Sequence, residues 1–457
     1  MNIVVCIRLD ANGEPNPFDA CAYEAALGMP CATVTLLSMG PASAHDPLQA
    51  LTRRGAARAV LLSDRAFAGS DTLATARVLH AAIQRLSPDL ILCGRQTLIG
   101  DTAQTGPMLA ALAGYSLITN AMSIEPPEAD RITCTTREEG TQTVALPALI
   151  TVERINTLRL PRLRSRMGEI EVWTQQTLGL DPASCGLAGS PTRVLKTFEN
   201  QSGRRKCRFI SRAELAQTVA ISLERYQKNA TQPVIGTERL AHVCIVGKAP
   251  ADYAKAVSNH VTVLPFESPA ELAARILALS PDAVLWASDA RSKRLAATVA
   301  AMLGLGLCAD CTQLAVENDT LMMYRPALSG TTVAKIKSTT RPAMATVRTA
   351  APETPDVVVG IGYGVRDELD RVRALADELG AATVATRKMV DNGYLPYEMQ
   401  LGLTGRSLHP PVYVAVGISG AIHHVVGMQN AGTVIAINPD REAPIFEYAD
   451  FGITEPF

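Results

Sequence analysis

Two glycine-rich corners, each following an apolar run, are the parts of this sequence best suited to chemistry. The clearer one is Gly417-Ile418-Ser419-Gly420, which follows the run Val412 to Val416 and precedes an amphipathic segment carrying His424. Small residues let a ligand approach backbone N–H groups, and the start of a helix orients those groups toward negative charge. The run Thr433 to Ile437 delivers Asn438 to the same edge of a parallel sheet. The pattern predicts a pyrophosphate site, although such corners also occur where a helix only packs on a sheet.

The second corner runs from Asp101 to Gly106 and lies just past the apolar run Leu90 to Cys93. Its backbone amides, together with the hydroxyls of Thr102 and Thr105, can hold a phosphate at the start of a helix. The alternative is an ordinary helix N-terminus in which Asp101 or Thr102 caps the first turn. Both interpretations remain open from these residues alone.

The cysteines offer one further motif, because Cys308-Ala309-Asp310-Cys311 has the spacing of a redox pair or of half a zinc site. The sequence holds no second pair of this spacing that would complete a zinc site. The ten cysteines stand mostly in apolar surroundings, which is typical of reduced thiols in a cytoplasmic protein. We therefore expect a cytoplasmic location and no metal site, and a redox role for this pair remains the less favoured alternative.

Length and composition exclude several classes of protein. A chain of 457 residues is too long for one core, and its length suggests about three domains. A net charge of -1 argues against a nucleic-acid binder, which would carry a basic face. The apolar start, Met1 to Ile7, has the length of a strand and lacks the features of a signal peptide, and no apolar run approaches the roughly 18 residues that span a bilayer. We expect a protein that is not embedded in a membrane.

The elements that must position the two corners follow an alternating pattern. Short apolar runs alternate with helical segments such as Asp71 to Leu86, which predicts parallel sheets covered by helices. Leu86-Ser87-Pro88-Asp89 and Leu279-Ser280-Pro281-Asp282 begin two similar stretches of strand, helix and small residues. Their separation is too long for a solenoid repeat. The sequence thus predicts an α/β fold with two related nucleotide-binding-like domains and a further strand-to-glycine corner near residue 360.

Three strings closely resemble the FAD-binding domain of the electron-transfer flavoprotein alpha subunit: Q-L-G-L-T-G-R, V-A-V-G-I-S-G-A-I-H-H and A-I-N-P-D-R-E-A-P-I-F-E-Y-A-D-F-G. Asn16-Pro17-Phe18-Asp19, the segment Gly94 to Pro107 and the segment Gly186 to Val194 resemble the beta subunit. The beta-like part covers about residues 1 to 225 and the alpha-like part about residues 235 to 457. The sequence resembles the two subunits fused in one chain.

The resemblance implies three domains. They are a beta-subunit-like α/β domain with a C-terminal arm (1–228), an alpha-subunit N-terminal-like α/β domain (235–350) and a doubly wound FAD-binding domain (351–457). It also implies roles around the flavin: Arg387 against the ring, Thr404 at N5, and His424 near O2, where it would favour an anionic flavin. The set is completed by residues along the ribityl-pyrophosphate and adenosine parts of FAD: Gln400, Gly405, Ser419, Gly420 and Asn438.

In this family the loop of the beta-like part holds AMP or, in electron-bifurcating members, a second FAD. The string G-D-T-A-Q at Gly100 to Gln104 is more similar to the bifurcating and nitrogen-fixation-associated branch than to the mitochondrial one. The resemblance implies these binding residues: Asp101, Thr102, Gln104 and Thr105.

Three functions remain open. The favoured one is an FAD electron carrier between a partner dehydrogenase, such as an acyl-CoA dehydrogenase or another flavin dehydrogenase, and an acceptor such as a quinone reductase or ferredoxin. The others are an NADH-oxidising, electron-bifurcating flavoprotein with two FADs, and a non-redox protein that binds adenine nucleotides. The number of bound FAD molecules separates them.

A basic segment, Leu158 to Glu171, contains T-L-R-L-P-R-L-R-S-R and resembles the beta-subunit segment T-L-P. In the family that segment projects a leucine into a pocket of the partner dehydrogenase, which implies docking through Leu160. The neighbouring arginines would favour an acidic partner surface. The alternative is a linker whose arginines are merely solvated, and the same alternative applies to the cationic patch Gly203 to Arg208.

Overall fold

The computed structural model describes residues 1–97, 100, 102–153, 155–199, 205–228, 234–327, 332–348, 355–396, 399–402, 408, 410–429 and 431–457. The chain forms two compact units. The first consists of residues 1–197, 233–327 and 334–349, and the second of residues 198–232, 328–333 and 350–457. The division into three domains remains a prediction. Most residues of the first two predicted domains belong to the first unit.

The strands and helices follow one another in chain order, with short 3-10 turns between some of them. The first half contains β1 (Asn2–Cys6), α1 (Pro17–Gly28), β2 (Thr33–Met39), α2 (His45–Thr52), β3 (Arg58–Leu62), α3 (Thr72–Leu86), β4 (Leu90–Gly94), α4 (Thr105–Ala113), β5 (Ser116–Ile124), β6 (Arg131–Thr136), β7 (Gly140–Ala145), β8 (Ala148–Val152), β9 (Glu169–Trp173), α5 (Gln175–Leu178), α6 (Gly186–Gly189) and β10 (Thr192–Glu199). The middle contains β11 (Arg208–Phe209), α7 (Leu215–Lys228), β12 (Val234–Ile235), β13 (Val243–Val246), α8 (Ala251–Val257), β14 (Val261–Leu264), α9 (Pro269–Leu279), β15 (Ala283–Ala287), α10 (Ala290–Leu303), β16 (Leu307–Cys311), β17 (Gln313–Glu317), β18 (Thr320–Ala327), β19 (Thr332–Ser338) and β20 (Ala343–Val347). The last part contains β21 (Val357–Ile361), α11 (Leu369–Glu378), β22 (Ala382–Ala385), α12 (Arg387–Asp391), β23 (Val412–Val416), α13 (Ile422–Met428), β24 (Thr433–Ile437) and β25 (Phe451–Ile453).

The first unit repeats one topology. Its nine-stranded sheet has the order β7-β6-β5-β8-β4-β1-β2-β3-β9, and a separate parallel sheet has the order β14-β13-β15-β20-β16. The segment β5-β8-β4-β1-β2 therefore matches β16-β20-β15-β13-β14 strand for strand. Ser87 and Ser280 end the equivalent helices α3 and α9 with left-handed φ angles of 43° and 42°. Asp89 then accepts the backbone N–H of Asn2, at the start of β1. Asp282 accepts the backbone N–H of His242, just before β13. The predicted pair of related α/β domains is confirmed.

The second unit has one parallel sheet with the order β11-β25-β24-β23-β21-β22. Strand β11 comes from the middle of the chain and pairs with β25, while Leu215 and Val219 of the following helical segment join the core of this sheet. Arg205, which leads into β11, pairs with Asp450 and donates to the carbonyls of Gln429 and Ala431 at 3.0 and 2.6 Å. The linker alternative for the cationic patch predicted that its cations are solvated. Arg205 is instead ion-paired and belongs to an arm of the second unit.

Two backbone turns meet at the carboxyl edge of that sheet. Because Ile361 and Val416 are register partners in β21 and β23, the turns that follow them start side by side. Gly364 N–H donates to the carbonyl of Gly417 at 3.0 Å, and a Cβ atom added to Gly362 would lie only 2.1 Å from the same oxygen. Only glycine fits at position 362, because the obstructing atoms are backbone.

We predict that Gly362→Ala lowers the free energy of unfolding by about 2 kcal/mol or more, because two paired backbone turns must move apart. Urea unfolding followed by far-UV circular dichroism measures this. Gly28→Ala is the matched control, since nothing lies within 4 Å of its added Cβ and it occupies the last position of helix α1. Similar unfolding midpoints for Gly362→Ala and the unchanged protein would contradict the close contact.

Candidate functional site

The carboxyl edge of the second unit contains a topological switch point. The chain leaves β21 for β22 on one side and reaches β23 on the other side, so the connections diverge between β21 and β23. Ligands of open parallel α/β sheets bind in the crevice at such a point. The glycine turns at Gly362 and Gly417 lie there, and Gly417 and Gly420 have left-handed φ angles of 64° and 97°. The N–H groups of Gly362 and Gly417 already donate to the carbonyls of Val416 and Ile437 at 2.8 and 2.9 Å, so a pyrophosphate would depend on amides farther along the second turn.

His424 is the central polar group beneath this corner. Its side chain is only 5% exposed, and its Nε2 lies 2.9 Å from the hydroxyl of Tyr413 in β23. Burial lowers the pKa of His424 to about 4 and raises that of the Tyr413 hydroxyl, so the imidazole is neutral and the phenol protonated at neutral pH. When the phenol donates to Nε2, the imidazole proton lies on Nδ1, which is buried and makes no well-formed hydrogen bond among the described residues. The ring also interacts with the backbone of Leu401, which opposes the lowering of its pKa. The ring then offers one donor to an acceptor oxygen.

The other predicted FAD residues that the structure describes occupy the same edge or the turns beside it. Gln400 is buried and pairs by a bridge with Ala385 at the end of β22. Ser419 is exposed in the glycine turn, and Asn438, directly after β24, donates its side-chain N–H to the carbonyl of Ile418 at 3.0 Å. Arg387 follows β22, is about half exposed, and pairs with Asp391 at 2.9 Å. Thr404 and Gly405 lie outside the described residues.

A cluster of cations surrounds Tyr363 in the first glycine turn. The Nζ atom of Lys388 lies 4.0 Å from the centre of the Tyr363 ring, and the guanidinium carbon of Arg366 lies 4.8 Å from it. Positive charge at this turn suits a ligand that carries phosphate. The buried hydroxyl of Thr386, just before Arg387, has no hydrogen-bond partner among the described residues.

The first unit has its own candidate edge, at the carboxyl ends of β1, β4 and β8. Asp19 is buried and accepts backbone N–H groups from Arg8 at 2.9 Å and from Gly94 at 2.8 Å. Burial raises the pKa of Asp19 to about 6, although these hydrogen bonds oppose the shift. Asn16 donates to the carbonyl of Gln96 at 2.9 Å, which fixes the loop after β4. This edge is therefore held together by buried polar contacts.

Two side chains at this edge carry buried polar atoms that have no partner among the described residues. They are Oδ1 of Asn16 and Nε2 of Gln104. Gln104 precedes helix α4, and its Oε1 accepts from the hydroxyl of Thr72 at 3.0 Å. Thr102 and Thr105 are half-buried in the same loop, and Asp101 lies outside the described residues. One acceptor and one donor without partners fit a polar ligand such as a nucleotide.

Charged residues lie next to this edge. Glu153, directly after β8, is fully buried and pairs with Arg95 at 3.0 Å and Arg137 at 3.4 Å. Two guanidinium groups against one carboxylate leave a net positive charge, which suits an anionic ligand. Arg325, in β18, donates to the carbonyl of Gly100 at 3.0 Å and so holds the predicted phosphate loop.

Family models account for most of the chain. A model of the electron transfer flavoprotein domain matches residues 3–178 and 253–377, and a model of the electron transfer flavoprotein FAD-binding domain matches residues 353–429. The chain belongs to the electron transfer flavoprotein family. It is an electron-transfer flavoprotein, and FAD is the cofactor of its C-terminal domain.

Curated relatives agree with this assignment. The FixA protein of Azorhizobium caulinodans is 36% identical over 266 residues, covering 50% of this chain and 95% of the relative. The electron transfer flavoprotein beta subunit of Megasphaera elsdenii is 43% identical over 202 residues, covering 40% and 74%. The alpha subunit of Thermoanaerobacterium thermosaccharolyticum is 35% identical over 219 residues, covering 38% of this chain and 66% of the relative, so the chain spans just under two thirds of that subunit. The predicted fusion of beta-like and alpha-like parts in one chain is confirmed.

Several residues of this electron-transfer flavoprotein escaped the sequence analysis. Tyr413 was hidden within an apolar strand, and its pairing with His424 depends on how α13 packs on β23. Asn16 and Asp19 were visible as a motif but carried no assigned role. Among the described residues, no group of three or more His, Cys, Asp or Glu side chains could hold a metal ion, and no helix has the length and apolar character needed to cross a membrane.

We predict that His424 contributes stability to the nucleotide-free protein that is lost as the pH is lowered from about 6.5 to about 4, because the unfolded chain protonates His424 before the folded chain does. Asp19, whose raised pKa has the opposite effect over a similar range, is the same in every variant compared, so the contribution of His424 is read as the difference between variants. A histidine whose folded pKa is depressed stabilises the fold above its unfolded pKa and loses that contribution as the pH falls. The slope that it adds approaches about 1.4 kcal/mol per pH unit. His424→Gln should remove this contribution, measured by urea unfolding at several pH values.

The matched control for this experiment is His45→Gln. His45 lies near the surface of the first unit, where its Nδ1 contacts Asp46 at 2.7 Å. We expect its replacement to keep the pH slope of the unchanged protein. If His424→Gln also kept that slope, another buried group would be taking up the proton.

Proposed function

We propose that this flavoprotein carries electrons between a flavin dehydrogenase of the acyl-CoA type and a second redox protein, and that the corner at Gly417 to Gly420 binds its FAD. The observation that carries the proposal is the switch point of the parallel sheet, where the glycine turns meet above the buried pair of His424 and Tyr413. Nδ1 of His424 makes no well-formed hydrogen bond there, although the ring interacts with the backbone of Leu401. A poorly satisfied buried donor costs up to about 1 to 3 kcal/mol, which favours a ligand that completes it. Bound FAD supplies reversible one- and two-electron redox chemistry.

The residues around the flavin have electrostatic tasks. Tyr413 fixes the tautomer of His424, and the Nδ1–H of that ring donates to a carbonyl oxygen of the flavin, which favours negative charge on it. Arg387 adds a planar cation whose delocalised charge suits a flat ring. Thr404 donates to N5 as the resemblance implies. These groups stabilise charge and hold protons, and none forms a bond with the flavin.

The remaining residues bind the tail of FAD. We assign Gln400, Gly405, Ser419 and Gly420 to the ribityl-pyrophosphate part and Asn438 to the adenosine side. Asn438 is supported by its hydrogen bond to Ile418, which fixes it at the glycine turn. Lys388 and Arg366 add positive charge next to Tyr363, where many alpha subunits have an arginine.

We assign a second adenine nucleotide, AMP or FAD, to the edge of the first unit. Asp101, Thr102, Gln104 and Thr105 form the loop, and Nε2 of Gln104 is the donor that lacks a partner. Arg325 keeps the loop in place through Gly100. The string G-D-T-A-Q supports a second FAD, which is the arrangement of an NADH-oxidising, electron-bifurcating protein. A cytoplasmic location stays a prediction.

We predict that purified protein is yellow and releases FAD when it is denatured. One FAD together with one AMP per chain supports the electron carrier, and two FADs support the bifurcating alternative. Liquid chromatography of the released nucleotides against protein concentration measures both ratios. A colourless protein that does not take up added FAD would contradict both functions and favour the non-redox nucleotide-binding protein.

The docking segment around Leu160 is anchored on both sides. Arg159 makes a bidentate ion pair with Glu24, from Nη2 to Oε1 at 2.7 Å and from Nε to Oε2 at 3.0 Å, and its carbonyl accepts from Arg54 at 2.8 Å. Five residues past Leu160, the carbonyl of Ser165 accepts from Arg53 at 3.3 Å. Leu160 is 84% exposed between these anchors. An exposed leucine on a segment that is already ordered loses little entropy on binding, which favours a docking role over a solvated linker.

We predict that Leu160→Ala slows electron transfer from a cognate flavin dehydrogenase about tenfold or more, because an anchor leucine contributes roughly 2 kcal/mol to binding. Stopped-flow reduction at subsaturating partner concentration measures the rate, and FAD content should not change. Leu277→Ala is the matched control, because Leu277 is also exposed, on helix α9 of the same unit. An unchanged rate in Leu160→Ala would move the docking site elsewhere.

A further inference from the structure

Cys308 and Cys311 lie in strand β16, where a regular strand would keep them apart. Side chains three residues apart in a strand point to opposite faces, and their Cα atoms lie about 10 Å from one another. The register of β16 against β20 shifts between these residues, and Asp310 takes a left-handed φ of 55°. This bulge inserts one extra residue and changes the face that Cys311 occupies. Both cysteines belong to one buried cluster.

The register gives the spacing of the pair. Cys308 is the partner of Ala345 and Cys311 is the partner of Val347, so the two cysteines stand opposite residues that are two positions apart. Two positions along a strand correspond to about 6.6 Å. Disulfides form between Cα atoms about 4.4 to 6.8 Å apart. The Sγ–H of Cys311 donates to the backbone carbonyl of Cys308 at 3.8 Å, so this thiol lies toward Cys308. The bulge thus brings the two cysteines to a Cα spacing that a disulfide can span.

The duplicated domain shows that the bulge does not need thiols. In its equivalent strand β5 the register against β8 shifts between Ile118 and Ala121, and Asn120 has a φ of 60°. The N–H of Asn120 donates to Thr151 at 2.9 Å, just as the N–H of Asp310 donates to Thr346 at 2.8 Å. An isoleucine and an alanine therefore build the same bulge in the first half. The cysteine pair is a chemical addition to a backbone that forms without it.

The surroundings favour reactivity at Cys308. The Sγ–H of Cys311 is committed as a donor to the carbonyl of Cys308, which identifies Cys311 as the protonated thiol. The side chain of Cys311 is the main cause that lowers the pKa of Cys308, and Arg325 lowers it further, whereas burial raises the pKa of Cys311. These contacts favour Cys308 as the nucleophile. Cys6 and Cys93 form a contrasting pair: they are register partners in β1 and β4, but burial raises the pKa of both thiols.

We propose that Cys308 and Cys311 are a redox-active dithiol that a small peroxide oxidises to an intramolecular disulfide. The sulfur of Cys308 attacks one peroxide oxygen, the O–O bond breaks, and one water leaves with a proton from solvent, which gives a sulfenic acid. The sulfur of Cys311 then attacks Cys308, the S–S bond forms, the S–O bond breaks, and a second water carries away the thiol proton. The two thiols lose two electrons and two protons, and the peroxide becomes two waters.

The disulfide would form beside the predicted nucleotide loop. Asp310, between the cysteines, pairs with Lys293 at 2.8 Å, and Arg325 next to Cys308 donates to Gly100. Cys308 is only 3% exposed and Cys311 is fully buried. A small peroxide suits this site better than a bulky disulfide such as oxidised glutathione.

The test uses the full chain treated with hydrogen peroxide, unfolded in an alkylating agent and digested with trypsin. The peptide of residues 295–335 contains both cysteines and no others. We expect most of this peptide to be two hydrogens lighter and unalkylated, and to return to the doubly alkylated form after dithiothreitol. Cys31, which is exposed, reports that the oxidant is active, and Cys6 and Cys93 should remain alkylatable.

Two variants distinguish the roles of the thiols. Cys311→Ala places an alanine where the duplicated bulge has Ala121, so we expect it to fold, and dimedone should trap a sulfenic acid on Cys308. In Cys308→Ala we expect no dimedone adduct on Cys311. Recovery of the doubly alkylated peptide from folded protein in which Cys31 has been oxidised would overturn the proposal. Dimedone labelling of Cys311 in Cys308→Ala, with none of Cys308 in Cys311→Ala, would overturn the assignment of the nucleophile.

Discussion

The second unit depends on two backbone turns that touch without side chains between them. Parallel pairing of β21 and β23 makes the turns start at the same level, and the glycines at positions 362 and 417 let their backbones meet. A side chain at either glycine would separate the strands or obstruct the amides of the second turn. The same constraint explains why the chemical side chains come from the elements around the corner. His424 lies on the helix behind it and Asn438 directly after β24, where its hydrogen bond to the carbonyl of Ile418 supports the second turn.

Buried polar atoms link folding to binding in this protein. Oδ1 of Asn16 and Nε2 of Gln104 lie buried without a partner among the described residues, and Nδ1 of His424 makes no well-formed hydrogen bond there. An unsatisfied buried atom costs about 1 to 3 kcal/mol relative to a satisfied one. A ligand that supplies the missing partner and binds only the folded chain stabilises the fold by mass action. The stability of the second unit should therefore depend on its FAD.

Apolar runs bounded by small or polar residues could be placed from sequence to the residue. Strands Val412–Val416 and Thr433–Ile437 have the bounds expected from their patterns. The motifs also placed Gln400, Ser419, Gly420 and Asn438 near one edge. Sequence could not reveal the hydrogen bond between Tyr413 and His424, because it depends on the packing of a helix against a strand. It also could not reveal that Arg205 is ion-paired, since composition does not show which partner a cation meets across more than 200 residues of chain.

The duplicated bulges separate what the fold requires from what function adds. Both bulges need a residue that tolerates a left-handed φ, and asparagine and aspartate fill that position at Asn120 and Asp310. Both need a threonine on the neighbouring strand to accept the freed N–H. The flanking positions only have to be small enough to pack, and there the two halves differ: Ile118 and Ala121 are inert, whereas Cys308 and Cys311 can exchange electrons. A periodic reading of β16 puts the two cysteines on opposite faces. The spacing Cys-x-x-Cys therefore gains chemical meaning only from the backbone conformation of Asp310, which the duplicated strand shows to be a property of the fold.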